Sequence, residues 1–324
     1  MTVHAQQLYS AAQVHLREAE RLRKKNVPFA LLFLLLALAA PVWSLTKMAL
    51  ILIHNTGEDI SEWLFIGVMV FSIIAILAIH GLFFRGVHII FREKVVPKMV
   101  GMFGEDFHYT PGKGVDRSWG EQCKLLPEFS VWGDKDLVRG EINGRLLECS
   151  GIVLKDRGRR MIDLQTSINQ SVQFRGVFVH LELPRAIPHP VWIIPQSVNL
   201  RYQLPQLKKL DNRQEVPLEQ LDTSYRLITA HPETARQWFT PSALGTINNL
   251  IDHFRQEGIS QHLRIAFFGH HVCFACKRKR GLFALSWFPF FTNLDSLRFV
   301  ERQIIVLQAI LKQGAALQEM ETST

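Results

Sequence analysis

Residues 136–156 read DLVRGEINGRLLECSGIVLKD. Asn143-Gly144 lies between two runs in which polar and apolar residues alternate, and an Asn-Gly pair accepts the positive φ angles that a two-residue hairpin turn demands. The stretch predicts an antiparallel hairpin. Further along, QFRGVFVHLELP (173–184) places Val177, Val179, Leu181 and Leu183 on one face and Phe174, Gly176, Phe178, His180 and Glu182 on the other, which predicts a half-buried strand. VWIIPQ (191–196) and SYRLITA (224–230) are further strand candidates, separated by a polar connection rich in Lys, Asp and Gln.

The last quarter of the chain carries helix signals as well. Thr240-Pro241 pairs an N-cap residue with a proline at the first helical position; Leu244, Ile247, Leu250, Ile251 and Phe254 then trace one helical face, closed by Gly258. HLRIAFFGHHVCFACKRKRGLFALSWF (262–288) reads as a three-stranded meander with turns at Gly269-His270 and Arg280-Gly281, and Leu297, Val300, Ile304, Leu307 and Leu311 mark a terminal helix. Strands followed by covering helices define an α+β domain with a mainly antiparallel sheet.

Upstream of this domain the composition changes. Asn26 to Thr46 and Trp63 to Phe84 are runs of 21 and 22 residues without Asp, Glu, Lys or Arg. As helices each spans roughly 30 Å, the hydrocarbon thickness of a bilayer. Neither run has the polar stripe of a soluble core helix, so the expectation is a transmembrane helical hairpin. Pro41 is placed to kink the first span, and Lys47 sits near its outer end; His80 lies near the inner end of the second. Arg17, Arg21, Arg23, Lys24 and Lys25 precede the first run, and Arg85, Arg92, Lys94 and Lys98 follow the second. The connecting loop carries Glu58, Asp59 and Glu62 and no basic residue, so both termini are expected on the cytoplasmic side.

The expected organisation is therefore a cytosolic amphipathic N-terminal helix (1–26, with Leu8, Ala12, Leu16, Ala19 and Leu22 on one face), a two-span hairpin (27–84) with a short external loop (54–62), a juxtamembrane stalk helix (85–104), a cytosolic α+β domain (105–315) and a tail (316–324). Pro97 is expected to break or kink the stalk near Val96. The net charge of +8 divides along the same boundaries: residues 1–27 carry +3, residues 28–84 carry −2, and part of the remaining +7 is the juxtamembrane stretch Arg85 to Lys98, at +3. That distribution matches topology and anionic lipid, and no nucleic-acid partner is needed to account for it.

Few residue groupings suggest chemistry. His270, His271, Cys273 and Cys276 form a compact cluster, but residues three apart on a strand face opposite ways, which argues against a shared metal or redox centre, and Cys123 and Cys149 stand alone in sequence. Lys277, Arg278, Lys279 and Arg280 would cap a hairpin tip and are candidates for contact with lipid headgroups or a partner. His180 with Glu182, and Asp134 and Asp136 beside Glu141, are the other polar pairs, and neither has the third member that acid–base or nucleophilic catalysis requires. No phosphate-binding glycine loop, zinc-protease helix or nucleophile elbow occurs, so no catalytic residue, metal or cofactor is expected.

FREKVVPKMV (91–100), FSVWGDKDLVRGEINGRLLECSGIVL (129–154), FRGVFVHLELPRAI (174–187) and LEQLDTSYRLITAHPETARQWFTPSAL (218–244) together resemble the bacterial two-span membrane family named domain of unknown function thirty-one thirty-seven. The similarity runs through Asp136 and Gly140, Phe174 and Gly176, and Phe239-Thr240-Pro241; the cysteines and basic residues of the last meander depart from it. The resemblance implies placement and fold without a defined activity. The resulting expectation is a membrane-anchored domain that binds a protein partner or assembles with itself. The alternatives are a component of a membrane enzyme or transporter with a ligand site in the domain, identified by a concave polar pocket holding His180 and Glu182, and a metal- or redox-responsive module on Cys273 and Cys276.

Overall fold

The computed structural model describes residues 89–157, 170–256 and 263–278, with Leu282, Phe283, Lys312 and scattered helical positions between Val14 and Gly86. The external loop, the proposed terminal helix on Leu297 to Leu311, the tail, and Gly258 and Gly281 lie outside the described residues. The chain divides into two compact units, residues 1–98 with 287–297 and residues 99–286 with 298–324. Among the described residues no helix is long and apolar enough to cross a membrane. Most of the two apolar runs falls outside them.

In the first unit, Lys94 Nζ meets the Glu18 carboxylate at 2.8 Å, joining a residue ahead of the first apolar run to one beyond the second. Pro97 does not break the chain's helical course. The proline has no N–H for the helical ladder, and the turn before it widens into a π-helix, Phe91–Val95, in which the Val96 N–H reaches back to the Phe91 carbonyl; helix α1 (Val96–Gly101) follows.

The second unit is built on a seven-stranded sheet in which every described pairing is antiparallel. In chain order it contains β1 (His108–Thr110), α2 (Arg117–Gln122), β2 (Val131–Ile142), β3 (Arg145–Arg157), β4 (Gln170–Pro195), α3 (Leu200–Gln203), α4 (Pro205–Lys208), β5 (Gln214–Val216), β6 (Tyr225–Thr229), α5 (Pro232–Trp238), α6 (Pro241–Gln256) and β7 (Leu263–Lys277). The Asn143-Gly144 hairpin forms as the sequence predicts: Ile142 pairs with Arg145, and the two turn residues take φ of 50° and 70°.

β4 and β7 are the spine. Strand β3 pairs with the first half of β4 and β6 with its last five residues, while β7 pairs with both halves. This arrangement corrects three sequence expectations. QFRGVFVHLELP and VWIIPQ are parts of one 26-residue strand, bent where the register shifts between Glu182 and Val191. Gly269-His270 is not a turn: β7 runs unbroken through it, and Gly269, with φ of 53°, supplies a left-handed residue at that shift. Finally, β4 is not half-buried, because Phe174, Phe178 and His180 are as enclosed as Val177, Val179 and Leu181. A strand with a paired neighbour on each edge and covered faces carries no alternation of exposure.

One face of the β3–β4–β7 layer joins a core of Leu125, Leu126, Ile152, Leu154, Phe178 and Trp192, onto which α2 packs through Trp119. Gly120 allows that seat, since a Cβ there would stand 2.4 Å from the Trp132 ring. α6 begins as expected: Thr240 Oγ1 accepts from the Ala243 N–H at 3.3 Å, and Ala243, Leu244, Ile247, Leu250, Ile251 and Phe254 are buried. Thr240→Ala should lower the denaturation midpoint by the equivalent of about 1 kcal/mol, the usual loss for an N-cap, whereas Thr240→Ser should be nearly neutral; urea titration of the two variants checks this.

Candidate functional site

Strand register assembles one polar cluster on the α2-covered face. Glu148 of β3, His180 of β4 and Cys273 of β7 lie side by side across three strands, and Glu182 and His271 pair one step further on. His180 is fully buried. Its Nε2 lies 3.1 Å from His271 Nδ1, and its Nδ1 faces Glu148 Oε2 at 3.6 Å. Glu148 Oε1 is in turn 3.6 Å from Arg139 Nε. The result is a row, Arg139–Glu148–His180–His271, running from an exposed guanidinium through a buried imidazole to a half-buried one.

Trp119 closes the row from above. Its ring stacks on His180 at 4.1 Å between centroids, with planes 14° apart, and tilts against His271 at 4.3 Å. Helix α2 holds the indole there because Asp116 caps its start, accepting from the Ser118 N–H at 2.7 Å, and because Trp192 Nε1 donates to the Cys123 carbonyl at its end at 2.8 Å.

Only one proton fits between the two facing imidazole nitrogens. When both rings are neutral, the tautomer that turns the His180 Nδ1–H toward the Glu148 carboxylate makes His271 Nδ1 the donor to His180 Nε2 and leaves His271 Nε2 as a lone pair. Burial, assisted by the neighbouring His180, holds the His271 imidazole below the ordinary histidine range, against an opposing pull from Glu182. The arrangement can therefore accept and pass a proton. Among the described residues no group of three or more His, Cys, Asp or Glu side chains could hold a metal ion.

The other sequence candidates separate. Glu182 stands beside the row, paired across the sheet with His271, and its carboxylate accepts from the Leu146 N–H at 3.3 Å. Cys273 and Cys276 lie opposite His180 and Val177 respectively, so they occupy opposite faces of the sheet. None of the four cysteines is in a disulfide, and all four are buried. Cys123 and Cys273 lie in the same buried core, the Cys123 thiol donating to the Gly120 carbonyl at 3.4 Å, and burial raises the thiols of Cys149 and Cys273. Asp136 is buried at the β2 bulge with φ of 67° and accepts from the Tyr109 hydroxyl at 2.5 Å; Glu141 is exposed near the hairpin end.

The basic tetrad is also divided. Lys277 is exposed at the end of β7, but Arg278 is half-buried, its backbone N–H extends the sheet to the Arg175 carbonyl, and burial lowers its guanidinium. Lys279 and Arg280 lie outside the described residues, as does the Asp134 side chain. A described cleft of about 540 Å³ lies elsewhere, where Arg255 bridges Asp222, Ser224 and Asp252 next to Tyr225 and Ile251; it contains neither His180 nor Glu182.

No family model and no curated protein matches the chain. Among solved structures, the crystal structure of the mycobacterial trehalose monomycolate transport factor A, TtfA, aligns at 8% sequence identity with a TM-score of 0.34, over 67% of this chain and 96% of that one.

Proposed function

We propose that the chain is a two-span protein of the bacterial cytoplasmic membrane, with both termini in the cytoplasm. Its α+β domain acts at the inner leaflet by docking a protein partner or further copies of the chain, without catalysis of its own. The observation that carries the reading is the Lys94–Glu18 contact, which brings the two basic flanks together as a hairpin of two spans requires. Described helical positions within the apolar runs support it, since Leu32, Leu35 and Trp43 expose 54%, 64% and 63% of their surface, as lipid-facing side chains do. Exposed Lys277 is the described part of the tetrad suited to anionic headgroups. The family resemblance belongs to the same proposal.

A cytoplasm-active reporter should work when fused at Thr324 and fail when inserted in the 54–62 loop, while a periplasm-active reporter should show the reverse. The opposite pattern, or release of the protein by carbonate extraction, overturns the reading. The enclosure of His180 with Glu148 and His271 favours a second reading, a domain that serves a membrane enzyme or transporter complex through a polar site.

A further inference from the structure

The two imidazoles of the row differ in what a change of protonation does to them. His180 is sealed between strands, Trp119 and Glu148, so it cannot leave. His271 sits at the rim, half-buried, with its Nδ1 on His180 and its ring beneath Trp119. The charged and titratable groups facing it are His180 and Glu182 of β4, Glu148 of β3 with Arg139 of β2 behind it, and His270 on β7 itself; α2 presents Trp119. Two of these neighbours are imidazoles, and the row already carries the Arg139 guanidinium at its far end.

We propose that His271 is a proton-operated catch: neutral, it joins His180 and holds α2 closed through Trp119, and protonated, it turns from the row into solvent and frees α2 from the sheet. Rotation outward lets both N–H groups of the imidazolium reach water. It also removes one of the two rings on which Trp119 rests, and α2 has only six residues with which to hold itself in place. The inference does not depend on the membrane reading.

The sign follows from burial. The neutral form of His271 is the favoured one in the folded chain, and its pKa lies below the ordinary 6.5. As pH falls below that value the unfolded or released form takes up a proton that the closed form refuses, so closure weakens on acidification. Above it both forms are neutral and closure is independent of pH.

The test is amide hydrogen exchange of residues 117–123 in the whole chain, corrected for the intrinsic pH dependence of exchange. Between about pH 8 and about pH 5 exchange of α2 should accelerate about tenfold or more, while the β3–β4 ladder stays protected. His271→Phe keeps a ring beneath Trp119 but cannot ionise, and should make α2 protection independent of pH. Equal protection of the natural chain at both pH values, or acceleration that persists in His271→Phe, overturns the proposal. If that variant does not fold, Glu182→Gln decides: loss of the carboxylate that favours the imidazolium in the closed form makes that form refuse the proton more strongly and should move release to higher pH, and a midpoint that stays or falls overturns the proposal.

Discussion

Gly176→Ala destabilises the domain by about 3 kcal/mol or more, the upper end of what overpacking in a well-filled interior costs. A Cβ at this position would stand 2.0 Å from the Cys276 carbonyl oxygen and 2.9 Å from Phe174 Cε1. The first of these atoms is backbone in the paired strand, and it can yield only by parting β7 from β4. Gly176 pairs with Ile152 on one side and Lys277 on the other, so the damage reaches both edges of the spine. Gly245, in the middle of α6, is the control, because an added Cβ there meets nothing within 4 Å. Gly245→Ala should gain about 0.5–1 kcal/mol through reduced backbone entropy in the unfolded chain. Opposite shifts of the urea midpoint for the same chemical change are the expected result; a near-neutral Gly176→Ala would mean that β4 and β7 are not packed as described.

The contrast also shows which features are visible in residues and which are not. Asn143-Gly144 and Thr240-Pro241 are local signals: turn geometry and helix capping depend on a few neighbouring residues, and both appear in the fold where the sequence places them. The continuity of β4 and β7 is not local. Gly269-His270 and the prolines at 184, 188 and 190 have the composition of turns, yet here they serve a bent, irregularly paired spine whose two long strands support each other. The polar row depends on register, which no alternation pattern specifies between strands almost a hundred residues apart. In sequence, His180 stands two residues from Glu182, and His271 stands among the cysteines. The actual partner of each is the other, and Glu148 and Trp119 carried no signal that set them apart from an ordinary strand glutamate and a helix tryptophan.

Trp192 tests whether the core and the polar row are mechanically joined. It is almost wholly buried, pairs with Ile228 and Ala266 in the sheet, and donates its indole N–H to the Cys123 carbonyl at the end of α2. Trp192→Ala removes a large side chain from the centre of the core and should cost about 3–5 kcal/mol, a large share of the stability of a typical domain. Trp192→Phe keeps most of the volume and loses the hydrogen bond, leaving the Cys123 carbonyl without that donor in an apolar setting at a cost of about 1–3 kcal/mol. The two variants should also differ in where the damage falls. Alanine should loosen the sheet throughout, lowering protection of β4, β6 and β7 together. Phenylalanine should act on α2, so that exchange of residues 117–123 rises before that of the strands, and the stacking of Trp119 on His180 weakens even at neutral pH. If Trp192→Phe instead lowers all protection uniformly, the indole contributes by filling space alone, and the anchoring of α2 must rest on Trp119, Gly120 and the Asp116 cap.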